Sequence, residues 1–165
     1  MREDTRKTQR QQQIHLSSSV RENIIRTKDI ITRRSNKGIP TMLNPQTALK
    51  EFHETFGLNY NDEKAELPDA EERELRRSLM KEEYSEYVEA EQNNDLENIA
   101  KELSDIVYIA YGTAVSYGIP LDRIFEEVHR SNMSKVNPDG TITRRADGKI
   151  LKPDTYTAPD LTKFL

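Results

Sequence analysis

Two short acidic patterns carry the chemistry this chain could do: Glu82-Glu83-Tyr84-Ser85-Glu86 and, sixteen residues on, Glu102-Leu103-Ser104-Asp105. Carboxylates three or four residues apart leave a helix from one side, on adjacent turns. At roughly 100° per residue, Glu82 and Glu86 flank the direction of Leu75 and Leu79, with Glu83 slightly further round. That direction is the one expected to carry core residues. Glu102 stands at the edge of a second apolar stripe, Leu96, Ile99, Leu103, Ile106, Val107, Ala110 and Ala114, and Asp105 lies one step beyond it. Carboxylates crowded in a partly dry place repel, and ionising them there costs on the order of several kcal/mol each. They must take up protons or a cation. A set of oxygen ligands without His or Cys suits Mg²⁺, with Mn²⁺ as the other candidate. Either ion holds phosphates, so the expected substrate is an anion that an acidic site binds through metal. The plainer reading is a solvated acidic helix face. The outward faces already carry Arg73, Glu74, Glu89, Glu97 and Lys101, however, so solubility does not require acids on the core-facing side.

The elements that must position these acids can be read from local signals. Asn44 followed by Pro45 opens a helix expected to reach Phe56, closed by Gly57, with Leu49, Phe52 and Phe56 as its apolar face. His53 beside Phe52 reads as a packed histidine. A second helix is expected from about Asp69 to about Gln92. Asp95 caps a third, which ends at Gly118. The connection at Asn93 and Asn94 is so short that these two helices must form an antiparallel hairpin, in which level positions have numbers summing to about 187. Glu86 then faces Lys101 and Glu102, while Glu82 and Glu83 face Ser104 and Asp105. Five acids are thereby expected at one level. Pro120 begins a fourth helix expected to end near Arg130. Beyond it, Asp147-Gly148 between Ile142 and Ile150 predicts a small hairpin or an extended wrap. Tyr156, Leu161 and Phe164 are expected to lay the last residues on the helices.

A second signal is Ser131-Asn132-Met133-Ser134-Lys135, with hydroxyl, amide and ammonium donors for phosphates or a base. Read alone it is a helix-ending loop. Lys149 and Lys152 flank the expected hairpin and could neutralise a polyphosphate, although each taken singly is an ordinary surface charge. Arg76, Arg77 and Lys81 read as ion-pair partners.

The whole chain bounds these readings. Its 165 residues suit one domain with an appendage, and it holds no Cys and no Trp. That excludes disulfides and thiolate zinc sites, and fits a reducing compartment. No apolar run approaches the ~20 residues that span a bilayer. The basic N-terminus lacks an apolar segment, so no secretory signal is expected and cytoplasm is the expected location. Through residue 40 there are ten Lys/Arg against four Asp/Glu, and in the remainder fifteen against twenty-five. A basic arm at 1–40, partly disordered or helical, thus precedes an acidic body from 41 onward. An acidic body argues against nucleic-acid binding except through the arm. Met42 is a candidate alternative start.

The acidic blocks together resemble the E-E-x-x-E…E-x-x-D signature of the all-α nucleoside triphosphate pyrophosphohydrolases. That superfamily includes MazG-like, dimeric dUTPase-like and phosphoribosyl-ATP pyrophosphohydrolase proteins. The resemblance runs from about Met42 to the C-terminus through LKEFHETFGL, LRRSLMKEEYSEYVEA, KELSDIVYIAYGTAVSYGI, FEEVHRSNMSK and DGKILKPDTY. It implies an all-α antiparallel bundle of about four core helices, completed by oligomerisation as a homodimer or homotetramer, each site finished by a neighbouring chain. It also implies Mg²⁺-dependent hydrolysis of a nucleoside triphosphate to the monophosphate and pyrophosphate, in house-cleaning or directed at dUTP. Phosphoribosyl-ATP is the alternative substrate, which the long C-terminal part argues against. By motif matching, Glu83, Glu86, Glu102 and Asp105 are implied metal ligands. Glu82 would orient or deprotonate the attacking water, unless it exchanges roles with Glu83. Asn132 and Lys135, then Lys149 and Lys152, would contact the nucleotide. The rival of another class is a non-catalytic helical interaction protein working through its basic arm.

Overall fold

A computed structural model describes residues 43–165; the N-terminal arm and Met42 lie outside the described residues. Among the described residues, four helices account for the regular structure: α1 (Pro45–Phe56), α2 (Ala70–Asn93), α3 (Leu96–Tyr117) and α4 (Leu121–Met133), followed by a 3₁₀ turn at Thr162–Phe164. No strand is present among the described residues, and the architecture is an all-α helical bundle.

Local chemistry sets the helix ends. Asn44, Asp69 and Asp95 each accept a bond from a first-turn amide, those of Thr47, Glu72 and Asn98 respectively. Such a cap is worth ~1 kcal/mol. Asn94 ends α2 in the left-handed conformation at φ 54°, and Asp95 begins capping α3 immediately afterwards. Gly118 closes α3 at φ 68°, where an added Cβ would also meet the Asn61 amide nitrogen at 2.9 Å, so glycine is required twice over. α4 runs to Met133, three residues past its expected end, and carries Ser131 and Asn132 in its last turn.

α3 is the central element, packed against both α1 and α2. Ser116 bonds Glu72 across the second seam, and Glu102 approaches Glu86 at the other end, which makes α2 and α3 antiparallel as expected. Which faces are buried differs from the reading of the stripes. On α2 the inward positions are Glu72, Arg76 and Ala90, whereas Leu75 is exposed and Leu79 half-buried. On α3 the buried residues are Glu102, Gly112, Ala114, Val115 and Ser116, whereas Leu96, Leu103 and Val107 face out. The reason is a polar core. Arg76 Nε donates to Glu72 Oε1 at 2.6 Å, Ser116 Oγ to the same oxygen at 2.9 Å, and Asn59 Nδ2 to Glu72 Oε2 at 2.8 Å. His53, 1% exposed, bonds the Asn59 carbonyl through Nδ1 at 2.6 Å. Among the described residues no buried side-chain polar atom lacks a partner. Burial pushes the Glu72 carboxyl up, but Arg76, Asn59 and Ser116 together hold it below the ordinary range. Burial lowers His53, so the ring is neutral. Gly112 admits this group: a Cβ there would stand 3.3 Å from His53 Nε2.

The C-terminal segment is an extended strap with one antiparallel bridge, Arg144 to Ile150, in place of a laddered hairpin. Asp147 satisfies its side chain on Arg145 and the Lys149 amide, and every residue from 141 to 150 is exposed, so no buried face extends the pairing. The final residues then dock on α4. Arg130 donates to Thr157 Oγ1 at 2.7 Å and the Ala158 carbonyl at 3.2 Å, and Glu127 accepts the Asp160 amide at 2.9 Å. The Arg123 guanidinium lies 5.1 Å from the Phe164 ring centroid.

Candidate metal centre

Glu83 and Glu86 project from adjacent turns of α2, and Glu102 from the second turn of α3. Each offers an oxygen, and the three oxygens lie within 4.8 Å of one another. The antiparallel pairing set by the two-residue connection brings them level. Glu102 is 5% exposed, Glu83 half-buried and Glu86 exposed, so the group opens from the seam to the surface. Burial raises the Glu83 pKa, and the charges of Asp105, Glu86 and Glu102 raise it further. Asp105 lies outside the three-oxygen group and is tied to it through Lys101, which bonds both Asp105 and Glu102. Among the described residues, Lys101 supplies a cation: its Nζ lies 3.0 Å from both Glu102 oxygens and 2.9 Å from Asp105 Oδ2. A polar cleft of about 260 Å³ adjoins the group, lined by Glu86, Glu89, Asn93, Asp95, Asn98 and Glu102.

Glu82 is exposed and lies outside the three-oxygen group. One residue of helix turns it roughly 100° from Glu83. The remaining expected site residues form a separate collection. Asn132 Oδ1 accepts a bond from Lys135 Nζ at 2.7 Å on the exposed end of α4. Lys152 Nζ lies 4.2 Å from the Tyr156 ring centroid. Lys149 is exposed in the Asp147 turn, where its backbone amide donates to Asp147 Oδ1 at 3.1 Å. No hydrogen bond or ion pair joins any of these four residues to the acidic group. Two participants escaped the motif reading. Lys101 reads as an outward charge, because a side chain bending back onto its neighbour leaves no spacing signal. Tyr156 reads only as packing, and its approach to Lys152 depends on how the strap folds.

Chemically, the acidic group is a hard-oxygen donor set from two rigid helices with no nitrogen or sulfur ligand. Its mutual repulsion is visible in the raised Glu83. Those properties fit a divalent cation such as Mg²⁺ or Mn²⁺.

The family model for phosphoribosyl-ATP pyrophosphohydrolase matches residues 49–132. The chain belongs to that family. Its superfamily is that of the MazG-like all-α nucleoside triphosphate pyrophosphohydrolases, enzymes that hydrolyse phosphoric anhydrides. The phosphoribosyl-ATP pyrophosphohydrolase match begins at Leu49 in α1 and ends at Asn132 in α4, so it contains the whole acidic group and stops before the strap. A curated relative, the uncharacterized protein L479 of Acanthamoeba polyphaga mimivirus, is 37% identical in an alignment 129 residues long that covers 70% of this chain. This chain spans about half of that relative, 51% of its length.

Proposed function

We propose that the protein is a Mg²⁺-dependent nucleoside triphosphate pyrophosphohydrolase, converting a (deoxy)nucleoside triphosphate and water to the monophosphate and pyrophosphate. The observation that carries this reading is the convergence of Glu83, Glu86 and Glu102 within 4.8 Å, in a chain of a pyrophosphohydrolase family. Glu83, Glu86, Glu102 and Asp105 hold the ion. When bound, it supplies positive charge against the phosphate oxygens and acidity for the attacking water. Glu82, clear of the ligand group and open to solvent, orients that water or accepts its proton, with Glu83 as the alternative base. Asn132, Lys135, Lys149 and Lys152 contact the nucleotide. A second copy of the chain completes the site. Phosphoribosyl-ATP is the alternative substrate, the one that the description of the matched family names. It too loses pyrophosphate from a nucleoside triphosphate.

The test is a nucleotide panel that includes dUTP and phosphoribosyl-ATP, with Mg²⁺, separating pyrophosphate from orthophosphate release. Pyrophosphate release is expected, with rates ranking the bases. Glu86→Ala removes an exposed ligand without touching the core. It should cut the Mg²⁺-dependent rate by more than the ~100-fold that losses outside the ligand shell cost, while helicity is retained. Full activity in that variant refutes the site.

A further inference from the structure

The first half of α2 carries a row of cations that the acidic group does not use. Arg73, Arg77 and Lys81 follow one another at four-residue spacing, so three like charges share one line of the helix. They do so in a body that, from residue 41 onward, holds fifteen basic against twenty-five acidic residues. Arg73 Nε donates to the Asp69 carbonyl at 3.3 Å, and Arg77 pairs with Glu74. Among the described residues, Lys81 has no carboxylate within ion-pair distance.

Beside this row a cleft of about 510 Å³ opens between α2 and α3. Its inner surface is mostly carbon, from Met80, Tyr84 and Tyr117 and from the stems of the basic side chains, and no carboxylate lines it. Arg76 reaches it from within the fold. That residue is 6% exposed and donates from Nε to Glu72 Oε1 at 2.6 Å, which leaves its two terminal nitrogens without an acceptor among the described residues. No buried side-chain polar atom there lacks a partner, so these nitrogens touch open space, and the cleft is the space that Arg76 lines. Gly112 makes room for them: a Cβ at that position would stand 3.5 Å from Arg76 Nη1.

Shape and charge together select an occupant. Flat phenol rings and a thioether receive a flat ring. A planar guanidinium and an ammonium receive an oxyanion. The volume falls within the range of about 300–1,000 Å³ usual for small-molecule sites. A second copy fits less well, because a two-fold axis on the cleft would set the cation row against its own image. The cleft also shares no residue with the three-oxygen group or with the polar cleft beside it. Lys81 and Tyr84 stand roughly 200° and 100° round α2 from Glu83.

We propose that the cleft framed by Arg76, Lys81, Tyr84 and Tyr117 is a second ligand site, for an aromatic anion: a flat ring bearing a phosphate or carboxylate group. It requires nothing of the reaction proposed above. Held by both helices, such a ligand clamps the first half of α2 to the last half of α3.

The experiment titrates full-length protein, without divalent metal, by calorimetry with 1-naphthyl phosphate and 1-naphthoate, and in parallel with 1-naphthol and inorganic phosphate. At least one aromatic anion should bind about tenfold more tightly than the ring or the phosphate alone. The tighter of the two names the acidic group, and it should raise the melting temperature as its concentration rises. Lys81→Gln and Tyr84→Ala should each weaken that binding about fivefold, with helicity retained because both side chains are exposed. The Lys135→Gln/Lys152→Gln pair should match wild type, which separates this site from the lysines near the strap. Equal affinity for 1-naphthol means a merely apolar patch and overturns the proposal. Unchanged affinity in both Lys81→Gln and Tyr84→Ala overturns it too. So does binding that appears only in a Leu103→Asp/Val107→Asp variant, since a second copy then fills the cleft. Failure of both anions to bind any of these proteins removes the site altogether.

Discussion

Lys101 occupies the position of a counter-ion to the acidic group, bonded to Glu102 and Asp105 from a side chain that is 58% exposed. Its ammonium pKa is raised by those two partners, Asp105 first. Such a solvent-facing charge is only weakly held, yet it must be displaced or screened when a divalent ion arrives. Lys101→Gln should therefore bind Mn²⁺ about three- to tenfold more tightly than wild type, read as the free-ion signal by electron paramagnetic resonance. Equal or weaker affinity would mean that the lysine orients the ligands instead of competing with the ion. At this scale the readable features were those set by spacing. Glu83, Glu86 and Glu102 follow from helix periodicity plus a two-residue connection. Glu82 shares the motif but not the geometry, because adjacent residues diverge around a helix.

Helix ends were legible because caps are local: Asn44-Pro45, Gly57, Asp95 and Gly118 each act within a few residues of themselves. Burial was less so. α3 is apolar on more than one side, and periodicity alone does not say which side meets α1 and α2. On α2 the inward line is polar, and Glu72 and Arg76 qualify as core only because Asn59 and Ser116, far away in sequence, complete their bonds. A pair buried this way is costly to break, about 3–5 kcal/mol for one partner removed. The strap shows the same dependence on distant partners. Glu127, buried on α4, is pulled to a pKa of about 2, first by the Arg130 guanidinium and then by the Asp160 amide, from an ordinary 4.5. A depressed carboxyl stabilises the fold fully above its unfolded pKa and loses that contribution as pH falls through its folded one. Glu127→Gln should thus lower the melting temperature at pH 7 by about 2–4 °C, with the gap narrowing from about pH 4.5 and closing near pH 2. Melting curves of both proteins across that range check this. A gap independent of pH would show that Glu127 acts by packing and not by charge.

Taken whole, the described chain leaves a large apolar surface uncovered. Leu96, Leu103 and Val107 recur along one side of α3 at 78%, 48% and 51% exposure, and Tyr84 on α2 is 59% exposed. Single exposed apolar residues are ordinary, but a row seven and four residues apart on one helix is a contiguous face. Oligomerisation is what the family resemblance implies, and this face is where a second copy would pack. Because a symmetric dimer applies the same patch twice, charge placed there counts double. A stable dimer buries about 1,200–2,000 Å² in total, which takes a contiguous face and not single exposed residues. Wild type should therefore sediment as at least a dimer at micromolar concentration. Leu103→Asp with Val107→Asp should shift it toward monomer, with helicity retained because both side chains already face out. The same variant separates two ways the site could depend on assembly. If a neighbouring chain contributes to catalysis, the pyrophosphate release rate falls with the dimer fraction and recovers as protein concentration rises. If each chain is self-sufficient, activity per chain stays constant while the sedimentation coefficient falls. A wild type that sediments as a monomer at all concentrations removes the interface itself.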